Sequence, residues 1–218
     1  MIRILSYTKE MAGRLAKSPG LEEDAEIQRS VDEIIEQVRR RGDAAVLEYG
    51  RLFDGAAPEP LRVAEEEFEE AESRLDKGFL EILAQAAENI KSYHERQLRS
   101  GFEFSPGEGV VLGQKVTPIE RVGIYVPGGT ASYPSTVIMN AIPARLAGVP
   151  QLIICTPPDR RGKAAPGVLA AARIAGVDAV YKCGGAQAIA AMAYGTESIP
   201  RVYKIVGPGN IYVATAKR

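Results

Sequence analysis

Three glycine-rich turns in the second half of the chain constrain its fold more than any other feature. Each sits where a run of β-forming residues hands over to a helix-forming run. The first is Gly123-Ile124-Tyr125-Val126-Pro127-Gly128-Gly129, the second Cys183-Gly184-Gly185-Ala186-Gln187-Ala188, and the third Val206-Gly207-Pro208-Gly209-Asn210. Short apolar or β-rich runs at 122–126, 152–155, 179–183 and 202–206 alternate with helix-like stretches at 136–147, 164–175 and 186–194. That rhythm predicts an α/β fold, a parallel sheet with crossover helices. The helical stretches are rich in alanine, which permits close packing on a sheet. In such sheets ligands bind at the carboxyl ends of the strands, where all three turns fall. Glycine lets a ligand approach the backbone, and a helix N-terminus offers unpaired N–H groups to an anion. The three turns together point to one nucleotide-sized crevice.

The first hundred residues keep a different rhythm. Ile27, Val31, Ile34, Ile35 and Val38 recur at helical spacing, and Gly42 is positioned to end that helix. Asp43 is placed to cap the next helix, which carries Val46, Tyr49 and Phe53. Asp54-Gly55, Pro58 and Pro60 punctuate. A third helix is predicted from about Ala64, with Glu65, Glu66 and Glu67 at the positive end of its dipole. A fourth has Phe79, Ile82, Leu83, Ala86, Ile90 and Tyr93 on one face. The acidic run from Glu65 to Glu72 reads as a solvated helix face. A hairpin is expected from Phe102-Glu103-Phe104 to Val110-Val111-Leu112, turned by Pro106-Gly107-Glu108-Gly109.

Composition narrows the function classes. Net charge is −1, but residues 1–100 hold 22 acidic and 15 basic groups, while residues 101–218 hold 6 acidic and 12 basic. A positive second half suits an anionic ligand such as a dinucleotide, although an exposed acidic helical half beside a drier α/β half explains the same split. No basic cluster interleaves with aromatics, which argues against a nucleic-acid partner. No apolar run approaches the roughly 20 residues that span a bilayer, and the N-terminus lacks a basic segment followed by an apolar one, so neither a membrane nor a secretory signal is expected. Cys155 and Cys183 make no disulfide framework, and a cytoplasmic location follows by default.

Both the strict Gly-x-Gly-x-x-Gly fingerprint and the Gly-x-x-x-x-Gly-Lys-Ser/Thr loop are absent. The side chains beside the turns carry more weight than the glycines. Tyr125 could stack on a ring or bond to a ribose, or be a half-buried strand tyrosine. Gln187 and Asn210 each follow a glycine turn near a helix start, where an amide can donate and accept toward a ribose or a carboxamide. An asparagine there also serves as a plain N-cap. The single histidine, His94, lies in the charged stretch Tyr93-His94-Glu95-Arg96 and reads as solvent-facing. With no base-like histidine near them in sequence, Cys155 and Cys183 read as buried structural thiols rather than nucleophiles.

The stretches 122–129, 184–191, 194–200 (Tyr-Gly-Thr-Glu-Ser-Ile-Pro) and 204–210 (Lys-Ile-Val-Gly-Pro-Gly-Asn) occur in the same order as in histidinol dehydrogenases, and the chain resembles that family over roughly residues 115–218. The helical half matches in style, as at Arg40-Arg41-Gly42-Asp43-Ala44-Ala45-Val46. The resemblance implies a helical N-terminal segment followed by an incomplete Rossmann-like sheet, divided as an arm at 1–20, a mainly helical segment with a short hairpin at 21–117, and an NAD-binding domain at 118–218. It implies oxidation of L-histidinol to L-histidine through the aldehyde by a cytoplasmic homodimer that uses NAD and zinc. Matched residue by residue, the family's NAD contacts fall on Tyr125, Gln187 and Asn210. The family's zinc ligands and its Glu-His pair lie beyond the Gly-Pro-Gly-Asn turn, so no catalytic or metal-binding residue is assigned here. The chain is expected to be an N-terminal cofactor-binding portion, inactive alone. A relative acting on another small polar alcohol, or a non-catalytic nucleotide-binding half-protein, is the alternative.

Overall fold

A computed structural model describes residues 21–128 and 132–218, with side chains from Ala25 onward. The arm expected at 1–20 and Gly129 of the first turn lie outside the described residues. Helix α1 (Leu21–Arg41) buries Val31, Ile34 and Val38 along one stripe and places Arg39, Arg40 and Arg41 in its last turn, where they suit the negative end of the dipole. It stops at Gly42, whose φ of 54° is easily reached by glycine alone.

Helix α2 (Asp43–Tyr49) departs from expectation at its start. Gly42 occupies the cap position, and Asp43 is already helical, so its side chain cannot cap. A distant carboxylate does this instead: the Asp43 N–H donates to Glu197 Oε2 at 2.7 Å, and the Ser198 hydroxyl donates to Asp43 Oδ2 at 2.5 Å. The Thr196-Glu197-Ser198 stretch thus latches the end of the sheet domain to the helical half. A Cβ on residue 42 would collide with the Glu197 carboxylate. Helix α2 runs on into a π-helical turn (Gly50–Asp54).

Helix α3 (Glu65–Ser73) and helix α4 (Lys77–Glu95) follow; Asp76 caps α4 by accepting from the Gly78 N–H at 2.8 Å. Strands β1 (Phe102–Gly107) and β2 (Val110–Gln114) pair antiparallel as the predicted hairpin and are exposed along their whole length. Then the alternation begins: β3 (Arg121–Tyr125), α5 (Pro134–Leu146), β4 (Gln151–Thr156), α6 (Pro166–Ile174), β5 (Ala179–Lys182), α7 (Gly185–Tyr194), β6 (Lys204–Val206) and α8 (Ile211–Ala216).

The four later strands form one parallel sheet in the order β5-β4-β3-β6. The chain steps outward from β3 to β5, then returns to lay β6 on the other side of β3. Period-two alternation sorts the side chains. Val122, Ile124, Leu152, Ile154 and Val180 pack with α3, α4, α5 and α6. Tyr125, Ile153, Cys155 and Tyr181 pack with α1, α2, α7 and α8. Each such buried aliphatic contributes about 1.5–3 kcal/mol relative to exposure. The four helices before the hairpin therefore cover both faces of the sheet that comes after it. Residues 61–63 also extend its edge, with Lys182 N–H donating to Leu61 O at 2.8 Å and Val63 N–H to Val180 O at 2.9 Å.

The acidic run is not wholly solvated. Glu67 lies one helical turn before the buried Ala71 and so turns inward, where its Oε1 meets Lys182 Nζ at 2.7 Å. Lys182, two residues after Val180, points to the same face of β5 and is 5% exposed. The rest of the run stays outside, Glu65 and Glu72 on Arg173, and Glu70 on Arg74 and Lys163.

Candidate nucleotide crevice

Tyr125 closes β3 and is almost wholly buried. Its hydroxyl accepts from the Gly185 N–H at 3.1 Å, at the first turn of α7. Burial pushes the phenol up to about 12; the Gly185 N–H opposes this, and nearby Asp54, Cys183 and Cys155 add to it. The phenol keeps its own hydrogen to donate.

Asn210 sits across from it. Gly207, at the end of β6, has φ 105° and lies so close to Tyr125 that a Cβ there would overlap the tyrosine carbonyl oxygen. The turn therefore packs directly on the end of β3. Asn210 then caps α8, its Oδ1 accepting from the Val213 N–H at 3.0 Å, while the side chain as a whole is exposed.

Gln187, in the first turn of α7, is 0% exposed, and neither its Oε1 nor its Nε2 has a partner. Its amide is folded against Gly185, the residue that bonds Tyr125. The structure thus brings Tyr125 and Asn210 onto one surface and holds Gln187 just behind it, shut off from solvent by the α7 packing.

That surface is the wall of a cleft of about 780 Å³ outside the carboxyl ends of β3, β4 and β6. It is lined by Tyr125, Pro127, Pro157 and Asn210, and by groups that the sequence did not mark: Asp54, Arg74, Arg160, Arg161 and Lys163. The run Arg160-Arg161-Gly162-Lys163 had a readable signal, because it accounts for three of the excess positive charges of the second half. Asp54 had none beyond its turn-forming Asp-Gly pair. Burial raises its carboxyl above the ordinary range, against the opposing Gly184 N–H.

Cys155 and Cys183 are free and buried, and a hydrogen bond with Cys155, together with burial, pushes the Cys183 thiol well above its ordinary value. His94 is half-exposed at the end of α4, its Nδ1 2.6 Å from Gln97 Oε1. A catalytic zinc needs about three protein ligands. Among the described residues no three His, Cys, Asp or Glu side chains come together to hold a metal ion. Nor is any described helix long and apolar enough to cross a membrane.

A parallel sheet whose order reverses between β3 and β6, with a glycine turn, a tyrosine and an asparagine meeting at that reversal, defines a doubly wound α/β protein with its ligand crevice at the switch point. Residues 18–218 match the histidinol dehydrogenase family. The chain is 56% identical over 193 residues to the histidinol dehydrogenase of Geobacillus kaustophilus, covering 88% of this chain and 46% of that protein. It is 52% identical over 217 residues to that of Bacillus subtilis, covering 100% and 50%. The crystal structure of histidinol dehydrogenase from Elizabethkingia anophelis superposes with a TM-score of 0.83 at 37% identity, over 92% of this chain and 49% of that one. The chain belongs to the histidinol dehydrogenase family, and spans about half the length of the curated relatives it matches.

Proposed function

We propose that this chain forms the NAD-binding part of an enzyme that oxidises L-histidinol to L-histidine through the aldehyde, with Tyr125, Gln187 and Asn210 as cofactor contacts. The observation that carries this reading is the meeting of Tyr125 and Asn210 at the topological switch point of the sheet. Two further features support it. The Gln187 amide, directly behind the cleft wall, has no internal partner, a destabilising arrangement that a ligand would relieve once the side chain turns toward the cleft. Arg74, Arg160, Arg161 and Lys163 on the cleft outnumber its acidic groups Asp54 and Asp159. Although Arg74, Arg161 and Lys163 are paired with carboxylates, the net positive lining favours a polyanion.

When bound, NAD+ supplies the hydride acceptor. The chain's own residues hold and orient it. Tyr125 presents a neutral phenol at physiological pH, Asn210 offers the amide hydrogens left over from its cap, and Pro127 and Pro157 give the wall an apolar surface. On this reading residues 118–218 are the cofactor domain. Zinc, the proton-transfer pair and L-histidinol binding belong to the remainder of the whole enzyme, a cytoplasmic homodimer. Two measurements on the 218-residue chain test this: calorimetric titration with NAD+, and NADH absorbance after adding L-histidinol and zinc. Binding without turnover is expected. Absence of binding would overturn the cofactor reading, and chain-dependent NADH formation would place zinc and base residues within these 218 residues.

A further inference from the structure

One polar group on the cleft wall is used only in part by the fold and not at all by the three cofactor contacts: Asp54 takes the Gly184 N–H but has an oxygen left over. Asp54 ends the π-helical turn Gly50–Asp54, a geometry that recurs at functional sites. The turn carries its carboxyl onto the cleft wall, packed over Gly184 and close enough to Tyr125 to help raise its phenol. Its Oδ2 is buried and has no partner. Burial raises the carboxyl, so the ionised form is held there at a cost in stability. Asp43 and Glu67 also leave one oxygen without a hydrogen bond, but neither lines the cleft; among these carboxylates Asp54 alone does. Beside it, Tyr125 has spent an acceptor position on Gly185 and keeps a hydrogen to donate. One unused acceptor and one unused donor on residues that line the same cleft complement a hydroxyl pair, which can give a hydrogen bond from one oxygen and take one at the other.

Resting on the cofactor reading above, we propose that Asp54 is a fourth cofactor-binding residue, whose Oδ2 accepts a hydrogen bond from a ribose hydroxyl of the dinucleotide. The test is calorimetric titration of wild type, Asp54→Asn and Asp54→Ala with NAD+ and with NAD+ analogues that each lack one ribose hydroxyl. Thermal midpoints at pH 7 are measured alongside. Asp54→Ala should weaken NAD+ binding about tenfold or more, the loss expected for one charge-assisted hydrogen bond. Asp54→Asn should weaken it less and melt with wild type, because its amide oxygen still takes the Gly184 N–H, a bond that Asp54→Ala loses. One deoxy analogue should bind wild type poorly yet match NAD+ on Asp54→Ala, because hydroxyl and carboxylate are two ends of one bond. NAD+ binding unchanged by both variants, or a deoxy penalty as large in Asp54→Ala as in wild type, would overturn the role of Asp54 alone. No NAD+ binding by wild type would overturn the cofactor reading and this role with it.

Discussion

Two sets of buried polar groups lie near strand ends of the same sheet, and they are treated differently. At the edge strand β5, Lys182 is matched by Glu67 at 2.7 Å, and Lys163 lies 3.6 Å from the other Glu67 oxygen. Glu67 Oε2 has no hydrogen bond but faces that ammonium; at the switch point, Gln187 and one Asp54 oxygen keep buried atoms with neither a hydrogen bond nor an opposite charge beside them among the described residues. Unpaired buried polar atoms are disfavoured by about 1–3 kcal/mol each. A fold that matches one set with opposite charge and leaves the other unmatched is using them for different ends. The edge pair fastens α3 to the sheet; on the cofactor reading the unmatched groups are left for a ligand to complete.

The contrast breaks most visibly at Lys182. Lys182→Ala should strand a buried carboxylate and destabilise the chain by about 3–5 kcal/mol in urea unfolding. Glu67→Leu combined with Lys182→Met should recover most of that loss, since apolar replacements of both partners need no solvation. The pH dependence has a definite sign. Burial works to raise the Glu67 carboxyl, but the Lys182 hydrogen bond, the Ala64 N–H and the charges of Lys182 and Lys163 together hold it below its ordinary value. Its contribution is therefore present above the ordinary carboxylate range and is lost as pH falls through the depressed value. A Lys182→Ala chain as stable as wild type would mean that the pair holds nothing together.

Why the two sets differed in legibility is a matter of local signals. The strand–helix alternation, the stop at Gly42 and the positions of Tyr125 and Asn210 could be read because glycine marks strand ends and apolar spacing marks faces. Glu67 could not. It stands in a run of glutamates with no apolar residue to fix the helix phase until Phe68 and Ala71, so the whole run reads as solvated. Asp54 could not either, because a π-helical turn has no residue signature and its partners Tyr125 and Gly184 lie far along the chain. For Gln187 the chemistry was readable but the burial was not. Its seclusion comes from α7 packing against α1 and α8, elements distant in sequence from the turn that drew attention to it.

Gln187 offers the converse experiment. Replacing a fully buried, unpartnered amide by leucine of similar volume should leave stability unchanged or raise it by about 1 kcal/mol, the opposite of the Lys182 result. NAD+ affinity should fall in the same variant. If Gln187→Leu instead unfolds at clearly lower urea, the amide has a structural partner, and the contrast between the two sets fails at this residue.

The smallest effect expected is at Asn210, and it separates a cap from a ligand contact. Asparagine and aspartate cap helices about equally well, whereas alanine forfeits about 1 kcal/mol. Helix α8 is short, and Val213 and Thr215 fix it by burial, so the cap alone does not decide whether it forms. Asn210→Asp keeps the oxygen that accepts from Val213 but removes the amide hydrogens that face the cleft. It should therefore match wild type in urea unfolding while binding NAD+ more weakly, with its negative charge adding to the loss. Asn210→Ala should lose on both measures. Equal NAD+ affinity in Asn210→Asp and wild type would leave Asn210 as a cap and nothing more, and would shift the weight of the crevice onto Tyr125 and the groups behind it.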